Sequence, residues 1–232
     1  PAARTKTDVI PAIRALDVVE VRADPAEPGA DRCRMLWALN EVLRRQGCQW
    51  RLFRSQACFS LLDASRHAVG HAPRHLDSWL MSADLCREIF AHGAQGTDLA
   101  VIEGDYLARQ NQGGCLETLC QWLDVPRVAI VDVSRISDCQ LPTRPAGVEG
   151  LLLDRLSSAD EYYRWSTTLT ALWNIPVFGG LVANTALLAP TLTSTCDPST
   201  EICRALGDAL QSTFAWPELE KLAQSRHGST AE

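Results

Sequence analysis

Residues 98–103 read D-L-A-V-I-E, an apolar run of strand length that closes on an acidic residue. Three later runs share this character, at 127–133 (RVAIVDV), 148–154 (VEGLLLD) and 175–181 (IPVFGGL). Because these runs do not alternate between apolar and polar residues, both faces of each strand must be covered, as in a parallel sheet. Helical patterns lie between the runs, at 83–92, 116–123 and 159–173. The alternation predicts a doubly wound α/β fold with a mostly parallel sheet and helices on both faces.

The same pattern extends toward both ends of the chain. Residues 17–23 and 49–54 are predicted strands, and residues 31–46 between them have apolar positions at helical spacing. Two helices are predicted near 200–214 and 217–224, and loops at 24–30 and 141–147. We therefore divide the chain into an N-terminal extension (1–16), an α/β domain (17–193) and a C-terminal helical tail (194–232).

Composition excludes several classes of protein. The net charge of -6 argues against a nucleic-acid-binding protein, since phosphate neutralisation needs a basic face. No apolar run approaches the ~18 residues of a membrane span, and residues 1–8 lack the apolar core of a signal peptide. The nine cysteines form no C-x-x-C pair, which is typical of reduced thiols in a cytoplasmic protein. We therefore expect a cytoplasmic protein that binds neither nucleic acid nor membrane.

Three stretches carry a family resemblance. Residues 74–81 (RHLDSWLM), 98–104 (DLAVIEG) and 150–155 (GLLLDR) resemble R-N-L-D-x-W-L-M, D-V-A-V-V-E-G and G-V-I-L-N-R in the N-terminal synthetase domain of cobyrinate a,c-diamide synthase. The resemblance runs from about residue 18 to residue 190 and extends more distantly to dethiobiotin synthetase. It implies a P-loop NTPase fold and a link to cobalamin biosynthesis. The implied chemistry is ATP-dependent activation of a carboxylate, followed by amide formation.

The chain departs from this family at the phosphate-binding loop, or Walker A motif. The resemblance aligns residues 25–33 (PAEPGADRC) with the family's G-T-x-S-G-V-G-K-T. Gly29 is the glycine that is kept, whereas Pro25 and Pro28 each remove a backbone N–H that could bind phosphate. The loop is therefore predicted to be degenerate.

The phosphate-binding loop has also lost the charged and hydroxyl-bearing residues of the family. Asp31 replaces a glycine and brings a negative charge to the phosphates, and Arg32 replaces the lysine. Cys33 replaces the hydroxyl that binds Mg²⁺, and a thiol suits this hard cation poorly. The lysines of the chain are Lys6 and Lys221, one near each end, so no lysine can take the missing role.

Other candidate site residues follow from the resemblance. Residues 54–62 (RSQACFSLL) align with a catalytic stretch of the family whose aspartates are replaced here by Cys58 and Leu61. Glu103 is kept and is the candidate Mg²⁺ ligand, or else a former ligand that is now solvated. The candidate anion or substrate contacts are Arg54, Arg74, Asp77, Asp154 and Arg155. The alternative for Arg74 and Asp77 is a structural pair or a helix cap.

Four residues at intervals of four could in principle form a zinc site: Asp63, His67, His71 and His75. On one continuous helix they would share a face. Gly70 and Pro73 interrupt such a helix, because a proline here breaks it. We therefore predict no zinc at these residues.

The preferred function is a pseudoenzyme, a diverged relative that has lost ATP binding and hydrolysis and acts as a binding or scaffold protein for a small anion or a protein. We expect such a pseudoenzyme to need no cofactor. The alternatives are an active amidoligase that uses ATP and Mg²⁺ through Arg32, Arg54 and Glu103, and a regulatory subunit of an active paralogue.

A homodimer is also expected. The chain has seven tryptophans, and Trp79, Trp122, Trp165 and Trp173 lie on or beside predicted helices, where exposed aromatic side chains favour an interface.

Overall fold

The computed structural model describes residues 15–21, 30–55, 73–105, 114–136, 143–182 and 199–225; for 15–21, 30–33, 105 and 135 it describes the backbone alone. The strands within these ranges are β1 (Ala15–Val21), β2 (Trp50–Arg54), β3 (Arg74–His75), β4 (Leu99–Asp105), β5 (Arg127–Asp132), β6 (Gly150–Leu156) and β7 (Val177–Val182). The α-helices are α1 (Ala30–Arg45), α2 (Ala83–Gly93), α3 (Leu116–Leu123), α4 (Ala159–Trp173), α5 (Thr200–Gln211) and α6 (Trp216–Gln224).

The strands form one sheet in the order β3-β2-β4-β1-β5-β6-β7, and every neighbouring pair is parallel. Helices α1, α5 and α6 pack on one face, over a core that includes Leu36, Val101 and Ile130. Helices α2, α3 and α4 pack on the other face, over two further clusters. The predicted doubly wound α/β fold, with helices on both faces, is thus confirmed.

Local sequence signals explain most of the element boundaries. Helices α3 and α4 have the predicted bounds, and α4 begins at Ser158, whose hydroxyl accepts a 3.2 Å hydrogen bond from the Glu161 amide. The Glu161 carboxylate reaches back to the amide of Ser157 at 2.5 Å. This is the reciprocal bonding of a capping box, with the return bond made one residue earlier.

Strand β3 was not predicted. It consists of Arg74 and His75, hydrogen-bonded in parallel to the end of β2 at the edge of the sheet. Two residues are too short to show a strand pattern in the sequence. The predicted break after Pro73 is therefore followed by an edge strand.

The opposite edge of the sheet is covered by the link between α5 and α6. The amide of Gly180 in β7 donates to Thr213 Oγ1 at 2.9 Å, and the amide of Ala215 donates to the Phe178 carbonyl at 2.7 Å. Thr213 Oγ1 also lies 3.0 Å from the Gly180 carbonyl oxygen. These bonds take up the polar groups that an edge strand otherwise exposes.

The C-terminal helices are also fixed to α1. A Cβ atom on Gly207 of α5 would lie 2.4 Å from Cγ of Glu41, so the two helices touch at this glycine. Arg45 bridges both helices, with Nε 2.9 Å from Glu41 and Nη1 2.6 Å from Asp208. No helix in the described ranges is both long enough and apolar enough to cross a membrane.

Candidate functional site

The carboxyl ends of the central strands place charged side chains next to one another. The strand register pairs Arg54 with Glu103, and Asp132 with Asp154. The residue two positions before each of them is an apolar residue of the core under α1. Because side chains alternate along a strand, the four charged side chains share the face that carries α1. We call these four, together with Arg34 and Arg155, the carboxyl-edge site.

Glu103, the candidate Mg²⁺ ligand, lies beside Arg54, a candidate anion contact. Arg54 Nε is 3.4 Å from Glu103 Oε2, and only 13% and 11% of the two side chains is exposed. The Glu103 carbonyl also accepts a 2.9 Å hydrogen bond from the Ser55 amide, which fixes the end of β4 against β2. A guanidinium this close offsets the charge that a carboxylate would present to a metal ion.

Asp154, another candidate contact, is bound by an arginine that the sequence analysis missed. Arg34 in the second turn of α1 donates to Asp154 Oδ2, and both side chains are almost completely buried. The other carboxylate oxygen accepts a 2.8 Å hydrogen bond from the Arg155 amide. Arg34 lies four and eight positions before the buried Ala38 and Val42, and a charge on such an apolar stripe requires a buried partner. That signal could have found it.

Arg155 extends the same arrangement to β5. Its φ of 57° lies in the left-handed region, and its Nε is 3.6 Å from Asp132 Oδ2. Asp132 Oδ1 accepts hydrogen bonds from the Ser134 amide at 3.0 Å and the Ser134 hydroxyl at 2.6 Å. Asp132 therefore holds the turn that follows β5 and also contacts Arg155.

Arg74 and Asp77 lie at the β3 edge, where Asp77 organises a turn. Its Oδ1 accepts hydrogen bonds from the amides of Trp79 at 2.9 Å and Leu80 at 3.3 Å, and the residue is buried. A Cβ atom on Gly114 would lie 2.8 Å from Asp77 Oδ1 and 2.2 Å from the Ser55 carbonyl oxygen. The turn is therefore packed tightly against the segment that leads into α3.

Sequence comparison identifies relatives for part of the chain. It is 26% identical over 130 residues to cobyrinate a,c-diamide synthase of Dehalococcoides mccartyi, covering 50% of this chain and 28% of that protein. It is 34% identical over 80 residues to hydrogenobyrinate a,c-diamide synthase of Streptomyces coelicolor, covering 32% and 16%. The chain resembles the a,c-diamide synthases. This confirms the resemblance found in the sequence, and the chain spans less than a third of the length of these relatives.

One solved structure shares the fold at a TM-score above 0.5. The MinC:MinD cell division complex of Aquifex aeolicus matches with a TM-score of 0.53 at 10% identity, covering 94% of this chain and 98% of that one. A ParA family ATPase from Chlorobium tepidum matches with a TM-score of 0.48 at 9% identity, covering 85% and 97%. The match to the MinC:MinD complex agrees with the doubly wound α/β fold that the sequence predicts. No family model matches the chain.

Some residues that distinguish the chain from the a,c-diamide synthases fall outside the description. Pro25, Pro28, Cys58 and Leu61 do so entirely, as does the retained Gly29, and 31–33 are described only as backbone within the first turn of α1. Of the histidine cluster, His75 lies in β3, while residues 63, 67 and 71 are outside the described ranges. Among the described residues, no three His, Cys, Asp or Glu side chains are placed to hold a metal ion.

Proposed function

We propose that this chain is a diverged relative of the a,c-diamide synthases that has lost tight ATP binding and acts as a binding or scaffold protein. The observation that carries the proposal is the set of ion pairs in the carboxyl-edge site. Arg34 contacts Asp154, Arg54 contacts Glu103, and Arg155 contacts Asp132. Three guanidinium groups and three carboxylates offset one another at the edge where ligands of such folds bind.

A triphosphate needs uncompensated positive charge, and the site offers little of it. To turn toward a phosphate, Arg34 would have to leave Asp154, which is 1% exposed. Breaking a buried pair in this way costs about 3–5 kcal/mol, because the abandoned charge has no solvent around it. Ligand binding would have to supply that free energy before any net affinity appeared.

The sequence of the phosphate loop also argues against tight ATP binding. Pro25 and Pro28 remove two backbone donors, and Asp31 brings a carboxylate to the loop. At about 5 Å and an effective dielectric near 20, each charge pair between a carboxylate and a phosphate costs roughly 3 kcal/mol. A total penalty of only ~4 kcal/mol turns a micromolar site into a near-millimolar one.

Isothermal titration calorimetry of the chain with ATP and Mg²⁺ tests the proposal. At about 100 μM protein, we expect no saturable heat, because affinities near 1 mM give no curvature at that concentration. A dissociation constant near 10 μM that is lost in Glu103→Ala would contradict the proposal. That outcome would favour the second candidate, an active ATP-dependent amidoligase that uses Mg²⁺ at Glu103 and arginines in place of the lysine.

The second candidate is supported by Glu103, which lies at the carboxyl end of the central strand β4. A regulatory subunit of an active paralogue is a third reading and needs no intact ATP site. Under each reading the ligand is a small anion, a nucleotide or a protein. We also propose that the protein is cytoplasmic. In support, the structure describes free thiols at Cys48, Cys86, Cys115, Cys120 and Cys203.

A further inference from the structure

Two arginines near the β3 edge of the sheet have no charged partner. Arg51 in β2 and Arg74 in β3 are both half-buried, and neither makes a hydrogen bond or an ion pair to another described residue. Nε of Arg51 is also excluded from solvent. A buried polar atom left in this way destabilises the fold and is commonly satisfied by a bound ion or a water molecule. In a chain with a net charge of -6, two cations without carboxylate partners indicate an anion site.

The strand register brings the two guanidinium groups within reach of one ligand. Arg74 pairs with Phe53 across the β2–β3 edge, and Arg51 lies two positions before Phe53, on the same face of the sheet. Cα atoms in this diagonal relation are about 8 Å apart, given ~3.3 Å per residue and ~4.8 Å between strands. Arginine side chains are long enough for both groups to contact a single anion.

Helix α2 restrains the side chain of Arg74. A Cβ atom on Gly93 would lie 2.9 Å from Arg74 Cδ and 2.7 Å from Phe53 Cζ, so the last turn of α2 passes directly over both side chains. The apolar stem of Arg74 is therefore packed against the helix. Because this packing restricts the side chain before any ligand arrives, binding costs less conformational entropy.

On the sheet, the nearby carboxylate has a different partner. Asp98 lies two residues before Ala100, which pairs with Arg51 across β2 and β4. Its Oδ2 accepts a 2.8 Å hydrogen bond from the Gln49 amide. Asp98 therefore fixes the start of β2 and makes no ion pair with Arg51 in the structure.

The carboxylates of α2 also do not neutralise the two arginines. Asp84 forms a 2.7 Å ion pair with Arg87 on the same helix. Exposed Glu88 is five positions before Gly93, which turns it about 140° around the helix from the face that covers Arg74. The carbonyl groups at the end of α2 contribute about half a negative charge, which offsets only part of the positive charge of two guanidinium groups.

The remaining charge favours a phosphate group as the ligand. A phosphate monoester carries about -1.5 to -2 charges at pH 7 and has three acceptor oxygens, so one group can accept hydrogen bonds from both guanidinium groups and neutralise them. A carboxylate carries a single negative charge and would leave one arginine unneutralised.

We propose that Arg51 and Arg74 form a binding site for the phosphate group of a small molecule. Arg74, a candidate anion contact from the sequence, thereby acquires a second arginine that the sequence did not indicate. The site lies on the face of the sheet under α2, whereas the strand residues of the carboxyl-edge site lie on the face that carries α1. The inference therefore does not rest on the proposed loss of ATP binding.

Thermal unfolding in inorganic phosphate at pH 7.5, compared with chloride at equal ionic strength, tests the proposal. We expect a dissociation constant of about 5 mM for this small probe. It corresponds to a saturable rise of about 3–5 °C in the melting midpoint at ~50 mM phosphate. Replacing Arg51→Gln and Arg74→Gln together should abolish the rise. The matched control is Arg87→Gln with Arg164→Gln, which removes two exposed arginines that already pair with carboxylates and should keep the rise.

A second double variant, Arg51→Lys with Arg74→Lys, keeps both charges but loses the planar groups that bind phosphate through two bonds. It should melt like the wild type without phosphate and show a smaller rise with it. The proposal is overturned if the wild type shows no rise beyond that in chloride, or if the rise persists in the glutamine variant. An equal rise in acetate overturns the assignment to phosphate. A phosphoserine peptide that binds more tightly than glycerol 3-phosphate overturns the assignment to a small molecule.

Discussion

Arg34 and Asp154 are 120 positions apart in the sequence and form an ion pair in which both side chains are almost fully excluded from solvent. The pair joins α1, the helix that follows the altered phosphate loop, to the end of β6. It therefore fills the space between the start of α1 and the end of β6 with charges that already have partners.

Removing one member of this pair should destabilise the fold strongly. We expect Arg34→Ala and Asp154→Ala each to lower the free energy of unfolding by about 3–5 kcal/mol, since each leaves a buried charge without its partner. Urea denaturation measures the change. The double variant Arg34→Met with Asp154→Leu is the control and should recover most of the loss, because apolar side chains can replace a buried pair. Single variants within ~1 kcal/mol of wild type would show that the pair is not buried in solution.

Glu41 should make the stability depend on pH. Hydrogen bonds from Arg44 and then Arg45 lower the pKa of Glu41 below its ordinary value of 4.5, against the opposing effect of burial. Because the pKa is lower in the folded than in the unfolded protein, the carboxylate stabilises the fold above pH 4.5 and loses this effect as the pH falls through the folded value.

The variant Glu41→Gln checks this effect. It should lower the free energy of unfolding by about 1–2 kcal/mol at pH 7, through the loss of charged hydrogen bonds. The difference from wild type should shrink as the pH is brought below 4.5, as measured by urea denaturation across the pH series. A difference that stays constant down to the acid limit would argue against the lowered pKa.

ATP should have little effect on thermal stability. A site with a dissociation constant near 10 μM would stabilise the protein by roughly 2.7 kcal/mol at 1 mM ATP and raise the melting midpoint by several degrees. We expect a shift under about one degree with ATP and Mg²⁺, and no phosphate release above background. A clear shift that disappears in Arg32→Ala would contradict the prediction.

Rebuilding the loop gives the matching gain-of-function test. A variant with Pro25→Gly, Pro28→Ser, Asp31→Gly, Arg32→Lys and Cys33→Thr restores the donors, the lysine and the hydroxyl. We expect its melting midpoint to rise with ATP and Mg²⁺ by more than that of the wild type. If the rebuilt loop gains nothing, the ion pairs of the carboxyl-edge site alone are enough to prevent binding.

Gly114 should tolerate no side chain. Its Cβ would lie 2.2 Å from the Ser55 carbonyl oxygen, and this oxygen belongs to the backbone, so it cannot turn away. We expect Gly114→Ala to lower the free energy of unfolding by about 1–3 kcal/mol through overpacking, measured by urea denaturation. An unchanged free energy of unfolding would mean that Gly114 and Ser55 are packed less tightly in solution than in the structure.

Much of the fold could be predicted because several of its strands and helices each carry a strong signal in their own sequence. Strands β4 and β5 are uninterrupted apolar runs, and α4 carries a serine cap with a glutamate three residues later. Strand β3 could not be predicted, because its two residues form a strand only through their pairing with β2. Of the tryptophans expected near an interface, Trp165 and Trp173 instead lie in the core under α4, because the apolar stripe of a helix faces inward.

The candidate site was harder to predict than the fold. The sequence placed Glu103, Asp154 and Arg155 at strand ends, and the structure has them there. It could not show that Arg54 lies beside Glu103, because that depends on the register of two strands separated by a long stretch of chain. The apolar stripe around Arg34 could have marked that residue as buried, but its partner could not be identified, because Asp154 is on a strand far along the sequence.

The bonds from Thr213 and Ala215 to β7 also determine which assemblies the chain can build. A sheet with two open edges can add copies at both ends without limit, which leads to filaments. Here the link between α5 and α6 occupies the Phe178 carbonyl and both the amide and the carbonyl of Gly180, so a second sheet cannot be added to β7 at these residues.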